Sequence, residues 1–186
     1  MDELEKKLEV VDENDIVVGI EPRSKVHRDG LLDREIHIFF ITPKGEIIFQ
    51  HRAKDKDTYP DKLDATVGGH VEPGMSYEET AIKECKEETG VDVTFGKLIF
   101  LAKFRKKSFD KATGKINNII RAQYAYFYDC LISDLQIEEG KSEGFEAWKI
   151  EDLINISESD KERFIQVFIS DDMIKLYNKA KDIFLK

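Results

Sequence analysis

Three carboxylates, Glu84, Glu87 and Glu88, fall at the spacing i, i+3, i+4 within GGHVEPGMSYEETAIKECKEETGV, residues 68 to 91. On an α-helix this spacing gathers side chains on one face, roughly 5–6 Å apart between Cβ atoms. Three like charges so close repel one another, and a hard divalent cation removes that cost. Mg²⁺ takes oxygen ligands and keeps waters and substrate phosphates in its shell. The same spacing also describes a solvated acidic face, so spacing by itself leaves both readings open.

The elements around the carboxylates sharpen the choice. Ser76 and Glu79 form a capping box, in which each residue satisfies a backbone N–H of the other at a helix start. Gly90 stands where a helix ends in a left-handed residue. The spacing therefore predicts a helix over about 77 to 89, entered from a Gly-Gly turn at 68 and 69. Ala81, Ile82 and Cys85 form its apolar flank, which would pack on a sheet and leave the carboxylates facing a cleft.

The segment resembles the Nudix box, G-x5-E-x7-R-E-U-x-E-E-x-G-U, where U is apolar. Gly69, Glu84, Cys85, Glu87, Glu88, Gly90 and Val91 match it. Met75 stands where the family has its first Glu, and Lys83 where it has Arg. Lysine keeps the charge and loses the bidentate fork, and methionine removes an anion. The resemblance implies an α/β/α sandwich with a mixed sheet, Nudix domain organisation over 1–186, and metal-dependent hydrolysis of a diphosphate linkage in a small phosphorylated molecule. In that scheme the Gly69 carbonyl, Glu84, Glu87 and Glu88 hold one to three Mg²⁺ or Mn²⁺ ions. Glu84 is one candidate base. The family also draws a base or metal ligand from a loop after a long strand, where Glu143 is the candidate and Glu146 the reserve.

The flanks, about residues 9 to 155, are similar to a narrower group, type 1 isopentenyl-diphosphate isomerases and their hydrolase-like cousins. Arg52 and Lys56 fall where that group holds a diphosphate. Gly68 replaces the isomerase's Cys, Ala122 its later-strand Glu, and Asp33 one metal-binding His, so the isomerase chemistry is not expected. Of the histidines, His70 adjoins Gly69 and could reach a metal or phosphate, while His27 matches an isomerase ligand only loosely. His37 lies in an apolar strand and reads as structural. A Nudix module that binds a ligand, a protein or RNA without turnover is the other alternative, kept open by Met75 and Lys83.

The chain of 186 residues is long enough for a substantial core. A net charge of −9 argues against a generic nucleic-acid binder. Residues 103 to 121 are locally basic and read as a solvated loop between strands or a rim for a polyanion. The first residues lack a signal-peptide pattern, no apolar run reaches membrane-spanning length, and Cys85 and Cys130 make no disulfide framework, so a cytoplasmic protein is expected. Strands are expected at 8 to 12 and 16 to 20, whose hairpin edge could support a homodimer. Others are expected at 35 to 42, 46 to 51, 62 to 67, within 91 to 104, at 116 to 132 and at 145 to 149. Helical turns are expected at 23 to 28 and 150 to 154, and one or two helices at about 157 to 184.

Overall fold

In a computed structural model, residues 5–56, 58–111 and 113–185 are described. An N-terminal antiparallel pair, β1 (Lys7–Val11) and β2 (Val17–Pro22), leads into a short helix α1 (Arg23–Asp29). The main sheet contains β3 (Leu32–Ile41), β4 (Glu46–Arg52), β5 (Leu63–Asp64), β6 (Val67–His70), β7 (Ile99–Phe109), β8 (Ile116–Phe127) and β9 (Ser142–Lys149). The long helix α2 (Tyr77–Thr89) lies between β6 and β7 in sequence. After β9 come α3 (Ile150–Ile154), α4 (Glu158–Lys161), a 3₁₀ turn at Gln166–Ile169 and α5 (Asp171–Phe184). The expected C-terminal helices are thus broken into shorter pieces, because Ser157 and Ser170 each cap a fresh start. No helix among the described residues is long and apolar enough to cross a membrane.

β3 is the organising strand. It runs parallel to β8 over its whole length, from Leu32↔Asn118 to Ile41↔Phe127. Its other edge is shared, with Glu35 to Ile38 pairing β6 and Phe40 and Ile41 pairing β4. Two cores follow from the two faces of this mixed sheet. Ile36, Ile38, Phe40, Ile48, Val67 and Ala122 pack on Ala81 and Cys85 of α2. Phe39, Ile41, Phe49 and Ala125 pack on Phe164, Phe168, Met173, Tyr177 and Ala180 from the C-terminal segment. This alternation of side chains between faces produces the expected helix–sheet–helix layering. Each fully buried side chain of Leu or Phe size contributes about 1.5–3 kcal/mol. The Tyr177 hydroxyl donates to the Phe168 carbonyl at 3.0 Å and ties α5 to the 3₁₀ turn.

Several local expectations change. Gly68 and Gly69 are not a turn; they are strand residues of β6, opposite His37 and Ile36. The turn comes later, where the Met75 N–H bonds the Glu72 carbonyl. The expected strand at 62 to 67 is consequently two short pieces, β5 and β6. The basic stretch 103 to 121 is no loop, since most of it forms the β7–β8 ladder. Exposure alternates along β7, with Lys103, Arg105 and Lys107 facing solvent while Lys106 and Ser108 turn inward.

Candidate functional site

α2 starts and stops as its sequence demands. The Ser76 N–H donates to Glu79 at 2.8 Å, the Glu79 N–H donates to Ser76 Oγ at 3.2 Å, and Gly90 closes the helix at φ 73°. Ala81 and Cys85, both fully buried, fix its rotation on the sheet. The three glutamates then diverge. Successive residues turn by about 100°, so Glu87 and Glu88 fall on opposite sides of Glu84. Glu84 and Glu88 retain only 4% and 1% exposure. The Glu87 side chain keeps 49% and lies 3.4 Å from Lys83. Of the three carboxylates expected to face a cleft, Glu84 alone lines the one beside Gly69.

Gly69 makes room for Glu84. A Cβ at that position would lie 2.8 Å from the Glu84 carboxyl carbon, so only glycine lets the carboxylate lie against β6. Glu88 accepts from Gln50 Nε2 at 3.1 Å and pairs with Lys141 Nζ at 2.6 Å. The same ammonium is 3.5 Å from Glu84 and 3.3 Å from Glu138. Burial pushes Glu88 up to about 8 and raises Glu84, while the Lys141 ammonium opposes both shifts. Burial would lower Lys141, but Glu88 and Glu84 raise it instead. The buried Glu84 and Glu88 and the exposed Glu87 carry hard oxygen donors of the kind Mg²⁺ or Mn²⁺ takes. In the present side-chain arrangement, no three His, Cys, Asp or Glu groups among the described residues already form a ligand cage.

Beside Glu84 and Gly69 opens a cleft of about 240 Å³. Its lining includes Lys6, Arg23, Arg52, Lys56, Lys106, Arg121 and Lys141 against the carboxylates Glu35, Asp64 and Glu84. This excess of cations favours a polyanion despite the acidic net charge of the chain. Arg121 donates to Glu35 through Nε at 2.7 Å. Burial would raise Glu35, yet Arg121 holds it low. Arg52 pairs with Asp64 at 2.8 Å and donates to the Thr58 and Tyr59 carbonyls, so it braces the loop that carries Lys56 as well as lining the cleft.

The remaining sequence candidates separate. His70 lines the cleft, with Nε2 3.4 Å from Asp33 and its ring edge-on to His27 at 5.3 Å. Burial, with the Glu35 charge adding to it, pushes Asp33 up to about 8. Burial lowers His27 and His37, favouring the neutral imidazoles. His37 is buried against Phe168, and its Nδ1 has no hydrogen-bond partner among the described residues. Glu143 does not join the carboxylates. His51 pairs with Gly144 and Arg52 with Ser142, leaving Glu143 as the extra residue of a bulge, exposed beside a separate shallow cleft. Glu146 instead binds Trp148 and Arg163.

Some site residues carry no pattern in the sequence. Lys141 arrives through the β4–β9 pairing. Glu72 answers Lys83 at 2.6 Å and Lys6 at 3.1 Å, supplying an anion near the position where Met75 lacks one. Ala122, aligned with the isomerase Glu, faces the α2 core, while its neighbour Arg121 faces the cleft.

The family model described as the NUDIX domain matches residues 31–168, which contain α2, the carboxylates and most of the cleft. The chain belongs to the NUDIX family. An "Uncharacterized Nudix hydrolase" of Nostoc sp. is 36% identical over 87 residues, 46% of this chain and 52% of the relative. An "Isopentenyl-diphosphate Delta-isomerase" of Nocardia farcinica is 34% identical over 112 residues, 60% of this chain and 62% of the relative. This NUDIX chain spans about half the length of the first curated relatives it matches. A crystal structure from Deinococcus radiodurans superposes with TM-score 0.70 at 22% identity, covering 94% of this chain and 99% of the other, a likeness of fold.

Proposed function

We propose that this NUDIX protein hydrolyses a diphosphate linkage in a small metabolite, such as a nucleoside diphosphate linked to a further group, with Mg²⁺ or Mn²⁺. The observation that carries this reading is the junction at Glu84: buried carboxylates of α2 on one side, a cation-rich cleft on the other. Glu84, Glu87, Glu88 and the Gly69 carbonyl would hold the metal. When bound, the metal neutralises charge on the phosphate oxygens and makes water more acidic.

The chain's own groups do the rest. Lys56, Lys106 and Arg121 offer donors to the phosphates, and Arg52 holds the shape of the loop around them. His70 borders the same cleft and can donate to a phosphate oxygen. Glu84, at the boundary of the two halves, is the carboxylate positioned to accept the proton of the attacking water. The partner implied is a small diphosphate, and the anion-binding groups line a compact cleft rather than an extended basic track.

An isomerase reading is weaker. A Cβ at Gly68 would meet His37 at 3.0 Å, so the isomerase's Cys would crowd this site, and Ala122 points away from the cleft. The test is product release from a panel of nucleotide and prenyl diphosphates with Mg²⁺ or Mn²⁺, with Glu87→Gln as control. Turnover that vanishes in the control supports hydrolysis. Metal-dependent turnover unchanged in Glu87→Gln would sink this assignment, and silence across the panel with retained ligand binding would favour a non-catalytic module.

A further inference from the structure

We propose that Lys141 is a built-in counter-ion of the carboxylate site, displaced when a divalent cation binds and then turned to the phosphates in the adjoining cleft. The proposal rests on the metal-site reading above. Its ground is position. Lys141 Nζ lies 2.6 Å from Glu88 and 3.5 Å from Glu84, between the two buried carboxylates of the proposed metal site. A cation ligated by both at about 2.0–2.1 Å needs that same space. An ammonium and a divalent ion also repel, so the two occupants exclude each other.

The surroundings let the side chain move while the backbone stays. The Lys141 N–H donates to the Glu138 carbonyl at 3.1 Å, and its carbonyl accepts from the Ala53 N–H at 3.1 Å. The ammonium sits on a flexible four-carbon stem, and the side chain enters from the rim, keeping 27% exposure. Lys141 also lines the cleft shared with Arg121 and Lys106. An ammonium expelled from the carboxylates therefore remains beside the substrate's phosphates. The device has two consequences. Buried Glu84 and Glu88 have a cationic partner before the metal arrives. Metal and diphosphate bind cooperatively, because the phosphate accepts the ammonium that the metal ejects.

The experiment is Mn²⁺ binding, followed by electron paramagnetic resonance of the free ion, in the intact wild type and in Lys141→Met and Lys141→Gln. Without substrate the variants should bind Mn²⁺ on the order of tenfold tighter, the size of a typical coupling between two ligands. A non-hydrolysable methylene diphosphonate should tighten Mn²⁺ binding in wild type and much less in the variants, after correction for chelation in solution. Wild type alone supplies an independent readout should the variants not fold. Acylation of Lys141 by an N-hydroxysuccinimide ester, read by mass spectrometry, should rise several-fold with Mn²⁺ while the exposed Lys175 is unchanged. Mn²⁺ binding with Lys141 labelling unaltered, or with variants no tighter than wild type, overturns the displacement and leaves the metal site standing. Absence of Mn²⁺ binding in wild type and variants alike overturns both.

Discussion

Gly69→Ala tests whether the contact between β6 and Glu84 sets the geometry of the site. The new Cβ would stand 2.8 Å from the Glu84 carboxyl carbon and 2.9 Å from Oε1. To regain an ordinary 3.4 Å contact, the carboxyl must retreat by about 0.6 Å. Because the obstructed atoms end a flexible side chain, the fold absorbs the change at about 1 kcal/mol, the low end for overpacking. That corresponds to a fall in Tm of about 2–4 °C for a chain of this size. The site absorbs it poorly, since a 1 Å misplacement near reacting groups costs on the order of 100-fold. A drop in kcat/KM of about 10- to 100-fold is expected, with weaker Mn²⁺ binding measured separately. Gly19→Ala is the control, because a Cβ there meets nothing within 4 Å. Wild-type turnover and Mn²⁺ affinity in Gly69→Ala would refute the argument.

Glu87→Gln should abolish metal-dependent turnover while shifting stability by less than about 0.5 kcal/mol, as its side chain is exposed; a melting curve beside the assay checks both. Arg52→Ala should cost about 2–3 kcal/mol in urea unfolding, because it leaves Asp64 unpaired and the Thr58 and Tyr59 carbonyls without their donor, and should raise KM. Asp33 has its folded pKa raised to about 8 by burial and then by Glu35, above its ordinary 3.8. Its contribution to stability is full below that ordinary value and is lost as pH rises through about 8. Asp33→Asn should therefore flatten the decline in denaturant stability across that window; an unchanged slope would show that Asp33 is ionised in the folded protein. Tyr177→Phe should lower stability by about 1 kcal/mol by removing the bond to the Phe168 carbonyl, measured by thermal unfolding.

What could be read directly from the chain is what local chemistry determines. The capping box at Ser76 and Glu79, the left-handed Gly90 and the apolar pair Ala81 and Cys85 specify α2 within a few turns of sequence. The β3–β4 hairpin was legible for the same reason, with apolar runs on either side of 43 to 45. Gly68 and Gly69 carry no strand signal, because glycine has little preference for strands and β6 exists through its pairing with β3. The expected strand within 91 to 104 covers only the start of β7; its continuation to Phe109 is hidden because Lys and Arg occupy both of its faces, erasing the two-residue hydrophobic rhythm. Lys141 could not be read at all. Its partners on α2 are distant in sequence, and only the β4–β9 ladder brings it to them. The bulge that holds Glu143 outside the ladder is likewise announced by no residue pattern nearby.

The parallel pairing of β3 with β8 also bears on the order in which the molecule assembles. Arg121 and its partner Glu35 are 86 residues apart in sequence, so their contact requires a long loop to close at an entropic cost that rises with loop length. The β3–β6 pairing and α2 involve much shorter separations. The carboxylates of the cleft can thus come together from nearby segments with Arg52 and Lys56, whereas Arg121 waits for β8. Dependence on such distant contacts slows folding relative to helical chains of similar size. A chain stalled before β8 docks would display Glu84 and Glu88 without the Arg121 guanidinium that lines the cleft in the finished protein.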